Sequence, residues 1–162
     1  MEDEKKFKDQ LLVFNLDEQK YALYLSVVER VVSAVEVTPL PKAPDIVLGV
    51  INFQGKVIPI INIRKRFGLP EREIDLSDQF IIAKTSKRTV ALVVDTVNGV
   101  IELAEQEITP VEKITPGVAF INGVIKLEDG MILIHDLESF LSLEEEKTLD
   151  KALKKKTQIA ER

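Results

Sequence analysis

At 162 residues, 45% hydrophobic and 30% charged, the chain suits one compact domain or two very small subdomains sharing a core. Its net charge of −5 argues against a nucleic-acid partner, which would call for a basic excess. With no cysteine, a disulfide framework, a thiolate metal site and a cysteine nucleophile are excluded; no apolar run nears the roughly 20 residues that cross a bilayer, so direct membrane insertion is not expected.

Residues 1–9 read as a solvated lead-in without the apolar core of a signal peptide, and a reducing cytoplasm is the expected address. Leu12, Phe14 and Leu16 alternate with other residues, Asp17-Glu18-Gln19-Lys20 forms a turn, and Tyr21, Leu23 and Leu25 alternate on the way back, which predicts a hairpin. The Val-rich stretch Val27 to Val37 predicts a longer strand interrupted by Glu29, Arg30 and Ser33. Pro39, Pro41 and Pro44 end it, because each proline removes a ladder donor. Pro44 to Leu48 reads as one helical turn.

Gly49-Val50-Ile51-Asn52-Phe53 and Val57-Ile58-Pro59-Ile60-Ile61 then flank the polar turn Gln54-Gly55-Lys56, a second hairpin. Arg64 to Gly68 predicts a helical stub ended by glycine, and Glu71 to Asp78 a connector. Phe80–Ala83 and Thr89–Val94 pair around Thr85-Ser86-Lys87-Arg88. Ile108 to Gly117 is proline-stiffened. Gly123 to Leu127 and Met131 to Ile134 flank the polar turn Glu128-Asp129-Gly130 as a last hairpin, after which Asp136 caps a short segment Leu137–Leu141. Ser142-Leu143-Glu144-Glu145 is a capping box that opens a C-terminal helix over 142–156, with residues 157–162 a frayed tail. Leu149, Ala152 and Leu153 give that helix a narrow apolar stripe in need of a docking site.

Two segments recur. Gly49 to Ile63 aligns without a gap on Gly123 to Leu137 at an offset of 74, and Ala22 to Val28 on Ala91 to Val97 at an offset of 69. Two related β units, roughly 11–68 and 78–141, account for both echoes better than coincidence does.

Chemistry-bearing signals are sparse. His135 is the single histidine; its neighbour Asp136 points to the opposite strand face, so the two do not form a catalytic pair. One histidine without cysteines does not build a zinc site. Phosphate-loop, HExxH and nucleophile-elbow patterns are missing, so no catalytic, metal or cofactor residue is assigned. Arg64-Lys65-Arg66 and Lys154-Lys155-Lys156 read as solvated faces.

The Gly-Val-Ile hairpin with its Val-Ile-Pro-Ile-Ile continuation, Leu40-Pro41 upstream and Val94-Asp95-Thr96-Val97 downstream together resemble the chemotaxis coupling protein family CheW, over about residues 11 to 153. The resemblance implies an all-β fold of two SH3-like five-stranded barrels packed side by side, with strands partly shared between them. It implies a non-enzymatic adaptor that joins the cytoplasmic tips of methyl-accepting chemotaxis receptors to the regulatory domain of a CheA-type histidine kinase, in arrays at the inner membrane. By the same similarity Val28, Arg30, Gln54 and Gly55 face the receptor, and Thr109, Pro110 and Ile114 contribute to the kinase contact. The chain departs from the family pattern at two of these positions: Gln54 stands where an arginine is usual and Arg30 where a glutamate is usual. A specialised coupling protein that binds kinase but not ordinary receptors is therefore an alternative reading, and a small-molecule-binding β-barrel is an outside one.

Overall fold

Branched side chains dominate the apolar runs, and the chain folds accordingly into strands. The computed structural model describes residues 9–110 and 120–160. In chain order the strands are β1 (Asp9–Leu16), β2 (Gln19–Tyr24), β3 (Val28–Ser33), β4 (Val47–Phe53), β5 (Lys56–Ile61), β6 (Gln79–Lys84), β7 (Thr89–Val94), β8 (Thr96–Leu103), β9 (Thr109–Pro110), β10 (Ile121–Leu127) and β11 (Gly130–His135). Helix α1 spans Ile63–Arg66 and α2 spans Leu143–Ala160. The fold is all-β apart from these and a few short turns.

The strands form a six-stranded sheet, β8-β1-β2-β11-β10-β9, and a five-stranded sheet, β3-β6-β7-β5-β4. These sheets do not follow the two sequence echoes. The N-terminal hairpin β1–β2 joins the late hairpin β10–β11, while β6–β7 joins the early hairpin β4–β5. The registers show the exchange is symmetric: β11 runs parallel to β2 with Ile134 beside Ala22, and β5 runs parallel to β7 with Ile60 beside Ala91. Ile60 and Ile134 are related by the offset of 74, and Ala22 and Ala91 by the offset of 69. Each half of the duplication completes the other's barrel.

Closure repeats in the same way. After β3 the chain bends so that Thr38 and Val50 exchange backbone hydrogen bonds of 2.9 and 2.8 Å. After β8, Thr109 lies opposite Val124, again 74 residues from Val50. This second contact is long enough to count as β9, which is why one barrel has a sixth strand where five were expected. A Cβ on Gly49 would sit 2.4 Å from the Thr38 carbonyl oxygen, and one on Gly123 would sit 3.0 Å from that of Thr109. Both glycines are needed because a neighbouring backbone passes directly over them.

Three apolar clusters follow from alternation on strands buried on both faces. Leu11, Val13, Ala22, Ile125, Ile132 and Ile134 fill the six-stranded barrel. Ile51, Ile58, Ile60, Phe80, Ile82 and Ala91 fill the five-stranded one. The opposite faces of the same strands, including Leu12, Phe14, Leu23, Ile61, Ile81 and Leu92, build a third cluster between the barrels.

Several local expectations change. The stretch from Val27 is shorter than predicted: a 3-10 turn (Leu25–Val27) precedes β3, which stops at Ser33. Pro44 to Leu48 is a turn closed by Val47 N–H on the Pro44 carbonyl, 2.9 Å, and leads straight into β4. Strand β8, half-buried in alternation and zipped along β1, extends well past the Thr96-Val97 echo. Helix α2 continues to Ala160, beyond the expected end at 156, since Thr157 to Ala160 contain no breaker.

The C-terminal helix docks on its own chain. Its capping box forms, with Glu145 N–H donating to Ser142 Oγ at 3.1 Å and Ser142 N–H to Glu145 Oε1 at 2.8 Å. Leu149 and Ala152 are buried in the inter-barrel cluster. Arg66 pairs with Glu145 at 2.6 Å, and Arg88 with the buried Glu146 at 2.8 Å and with Asp150. Arg66 is thus half-buried and paired, and Arg64 is buried, so the basic run at 64–66 is not the solvated face its sequence suggests. Arg64 forks onto Asp17 at 3.0 Å and Asp95 at 2.9 Å, and donates to the Pro70 carbonyl at 3.0 Å. Arg72 bridges the buried Asp78 at 2.7 Å and Asp95 at 2.6 Å. Burial alone would raise the Asp95 carboxyl, but hydrogen bonds from Arg64, the Asp17 N–H and Arg72 hold it below the usual range.

His135 occupies an aromatic cage. Its ring stacks on Phe67 at 3.9 Å, with Tyr21 at 4.7 Å and Phe140 edge-on at 5.7 Å. Nδ1 lies 3.3 Å from the Phe120 carbonyl, which only accepts, so Nδ1 carries the proton. Nε2 is buried without a partner among the described residues. Burial pushes the imidazole down to about 4, against a small opposing effect of the Phe120 carbonyl. The unfolded chain therefore takes up this proton before the folded one does. Stability falls as pH drops from about 6.5 toward 4, by up to about 3 kcal/mol at the 1.36 kcal/mol that each pKa unit represents. The lowered carboxyls of Asp95 and Glu145 lose their contribution further down, through and below the ordinary carboxylate range. His135→Leu should flatten the stability profile between pH 6.5 and 4 in urea titrations; an unaltered slope would contradict the assignment.

Candidate partner-binding surfaces

The β4–β5 tip is built by backbone geometry. Asn52↔Val57 and Phe53↔Lys56 are cross-strand pairs, leaving Gln54-Gly55 as a two-residue loop with φ of 52° and 82°. Positive φ at both positions is the primed hairpin turn that matches strand twist, and Asn52 Oδ1 accepts from the Gly55 N–H at 3.1 Å. Glycine meets the second position without strain. Glutamine at the first does not, and its exposed side chain is held out in a left-handed conformation that Asn or Gly would adopt more cheaply.

Beside this tip, β3 carries a bulge between Val28 and Arg30 that leaves Glu29 out of register. Val28 is half-buried against the inter-barrel cluster. Arg30, exposed, pairs with Ile82 of the barrel interior and so leans over the barrel's open end, its Cζ 5.8 Å from the centre of the Phe53 ring. The structure thus brings Arg30 together with the Gln54-Gly55 tip through Phe53. Phe53 was not singled out in the sequence, although its place one residue before the turn and on the inward-facing parity marked it.

Thr109 and Pro110 lie on the other barrel, as the edge strand β9 against Gly123 and Val124. Thr109 is half-buried and Pro110 exposed. Proline suits this place, having no N–H to present on the free side of an edge strand. Ile114 lies outside the described residues. The two predicted faces therefore belong to different sheets.

The described residues hold no cluster of three or more His, Asp or Glu side chains arranged to bind a metal. A small hollow beside Leu137, Phe140 and Glu146 measures about 30 Å³, room for a single water. A larger open trough of about 380 Å³ runs along Asp9, Gln10, Tyr24, Leu25 and Ser26, just before Val28. No described helix is long and apolar enough to cross a membrane.

A family model described as a CheW-like domain matches residues 10–145. The chain belongs to the CheW-like family. It is 32% identical to the chemotaxis protein CheW of Rhizobium meliloti, over 84% of this chain and 89% of the relative. It is also 32% identical to that of Bacillus subtilis, over 89% of this chain and 94% of the relative. Among solved structures it resembles the scaffolding protein CheW of Thermoanaerobacter tengcongensis, with a TM-score of 0.77 and 34% identity over 86% of this chain and 96% of that one. This member of the CheW-like family is a chemotaxis coupling and scaffolding protein, as the motifs around the β4–β5 hairpin implied.

Proposed function

We propose that this CheW-like chain acts in the cytoplasm, joining the tips of methyl-accepting chemotaxis receptors to the regulatory domain of a CheA-type histidine kinase. It does so by binding alone, with no catalytic step. The observation that carries this reading is a paired-barrel architecture shared almost end to end with a scaffolding CheW. Closed barrels leave few free strand edges, so the surfaces on offer are hairpin tips, bends and the trough beside β1. We assign Val28, Arg30, Gln54 and Gly55 to the receptor side and Thr109, Pro110 and Ile114 to the kinase side.

Titrating the purified protein with the regulatory domain of a CheA-type kinase from the same organism should give a saturable complex with a Kd on the order of micromolar. Pro110→Arg should weaken it and Arg30→Ala should not. The absence of any saturable complex would refute the kinase half of the proposal.

A further inference from the structure

We propose that the open end of the five-stranded barrel is an acceptor for an acidic protein segment, one that sets carboxylates against Arg30 and Lys56 and an apolar side chain against Phe53. This deepens the receptor half of the proposed function and rests on it.

The placement follows from register. Arg30 lies over Phe53, Phe53 faces Lys56 across the hairpin, and Lys84 ends β6 one step beyond the Val28↔Ala83 pair. Three exposed cations therefore share one end of the barrel in a protein whose net charge is −5. The Arg30 guanidinium has no carboxylate partner among the described residues, in contrast to Arg64, Arg66, Arg72 and Arg88. Glu29 in the bulge is the one carboxylate on β3, and the acidic groups at the β6–β7 turn are already engaged, Glu138 by the Ser86 N–H and hydroxyl and Glu146 and Asp150 by Arg88.

The fold does not require this charge. The sequence echo places Gln54-Gly55-Lys56 on Glu128-Asp129-Gly130, so the same hairpin tip on the other barrel is acidic. The chain thus carries an internal control: one architecture, two hairpin tips, opposite signs. A half-buried ring with Arg30 over it and Lys56 across the strand, beside a glutamine held in a left-handed turn, offers a small apolar seat with a basic rim. Complementarity of that kind selects a partner and speeds its capture more than it adds raw affinity.

The test uses the full-length protein and, as probe, the cytoplasmic tip fragment of a chemoreceptor from the same organism. The double variant R30E/K56E should weaken tip binding on the order of tenfold or more, by placing like charges together. Raising salt should weaken wild-type binding as well. E128K/D129K, at the equivalent tip of the other barrel, should leave tip affinity unchanged, and thermal unfolding of R30E/K56E should match wild type because both side chains are exposed. Equal or tighter tip binding by R30E/K56E would overturn this inference while leaving the receptor reading intact. No binding of the tip by the wild-type protein would overturn both, with kinase binding still deciding the rest. Self-association in sedimentation that R30E/K56E abolishes would identify the occupant as a second copy and overturn the inference.

Discussion

Gly49→Ala is expected to lower the unfolding free energy by about 4 kcal/mol. Two effects add. Gly49 has φ of 154°, where a side chain costs about 1–2 kcal/mol. The new methyl would also press to 2.4 Å from the Thr38 carbonyl oxygen and 2.7 Å from Val37 Cγ1, an overpacking that costs about 1–3 kcal/mol. Relief by a side-chain rotation is blocked, because the nearer obstacle is backbone. The Thr38–Val50 bonds that close the five-stranded barrel would have to lengthen. Gly55→Ala is the control: φ is 82°, but no atom lies within 4 Å of the added carbon, so only the strain of about 1 kcal/mol is expected. Denaturant titration of both variants checks the difference. Equal losses would mean the Thr38 crossing does not hold the barrel shut.

The second large effect is at Arg64. Its side chain is 9% exposed and holds Asp17 and Asp95, and Asp95 in turn holds Arg72. These groups come from the β1–β2 turn, helix α1, the connector after it and the β7–β8 junction, so one guanidinium ties both barrels together. Burial opposes its charge, but the two carboxylates outweigh that and its pKa is raised. Arg64→Ala leaves Asp17 without its cation and Asp95 held by Arg72 alone, and should cost about 3 kcal/mol, the low end for breaking a buried pair because Asp17 is half exposed. Lys65→Ala, one residue away and exposed, should fall within about 0.5 kcal/mol of wild type. An Arg64→Ala variant as stable as Lys65→Ala would show that the network is ornamental.

Strand content and the hairpin tips were legible because branched residues alternate around short polar turns. An internal echo was legible too, since Gly49 to Ile63 and Gly123 to Leu137 align without a gap. The exchange between halves left no local mark, for pairing β2 with β11 is a choice among long-range partners, and strands shared between the barrels were implied by the family resemblance alone. Nor was the role of Arg64 visible. Its partners Asp17 and Asp95 are 47 and 31 residues away, and a triplet Arg-Lys-Arg looks solvated until burial separates its members. His135 fits the packing role expected of a lone histidine, but its aromatic cage gathers Phe14, Tyr21, Phe67 and Phe140 from widely separated places in the chain. For the candidate surfaces, family resemblance named the residues, and only register revealed that Arg30 and the β4–β5 tip converge on Phe53.

The stability determinants and the proposed contact residues are largely distinct. Gly49, Arg64 and the inter-barrel cluster hold two barrels in one fixed relation, while Arg30, Lys56 and Pro110 are exposed at their ends. Surface variants should therefore alter binding without altering folding, which makes partner assays interpretable.

The most direct test is co-sedimentation of a CheA-type kinase with receptor-bearing membrane vesicles, with and without this protein. If the chain bridges the two, kinase should move to the pellet in proportion to added protein and saturate, and Pro110→Arg should weaken that recruitment while the variant itself still pellets. Kinase pelleting to the same extent whether or not the protein is present would contradict the bridging role.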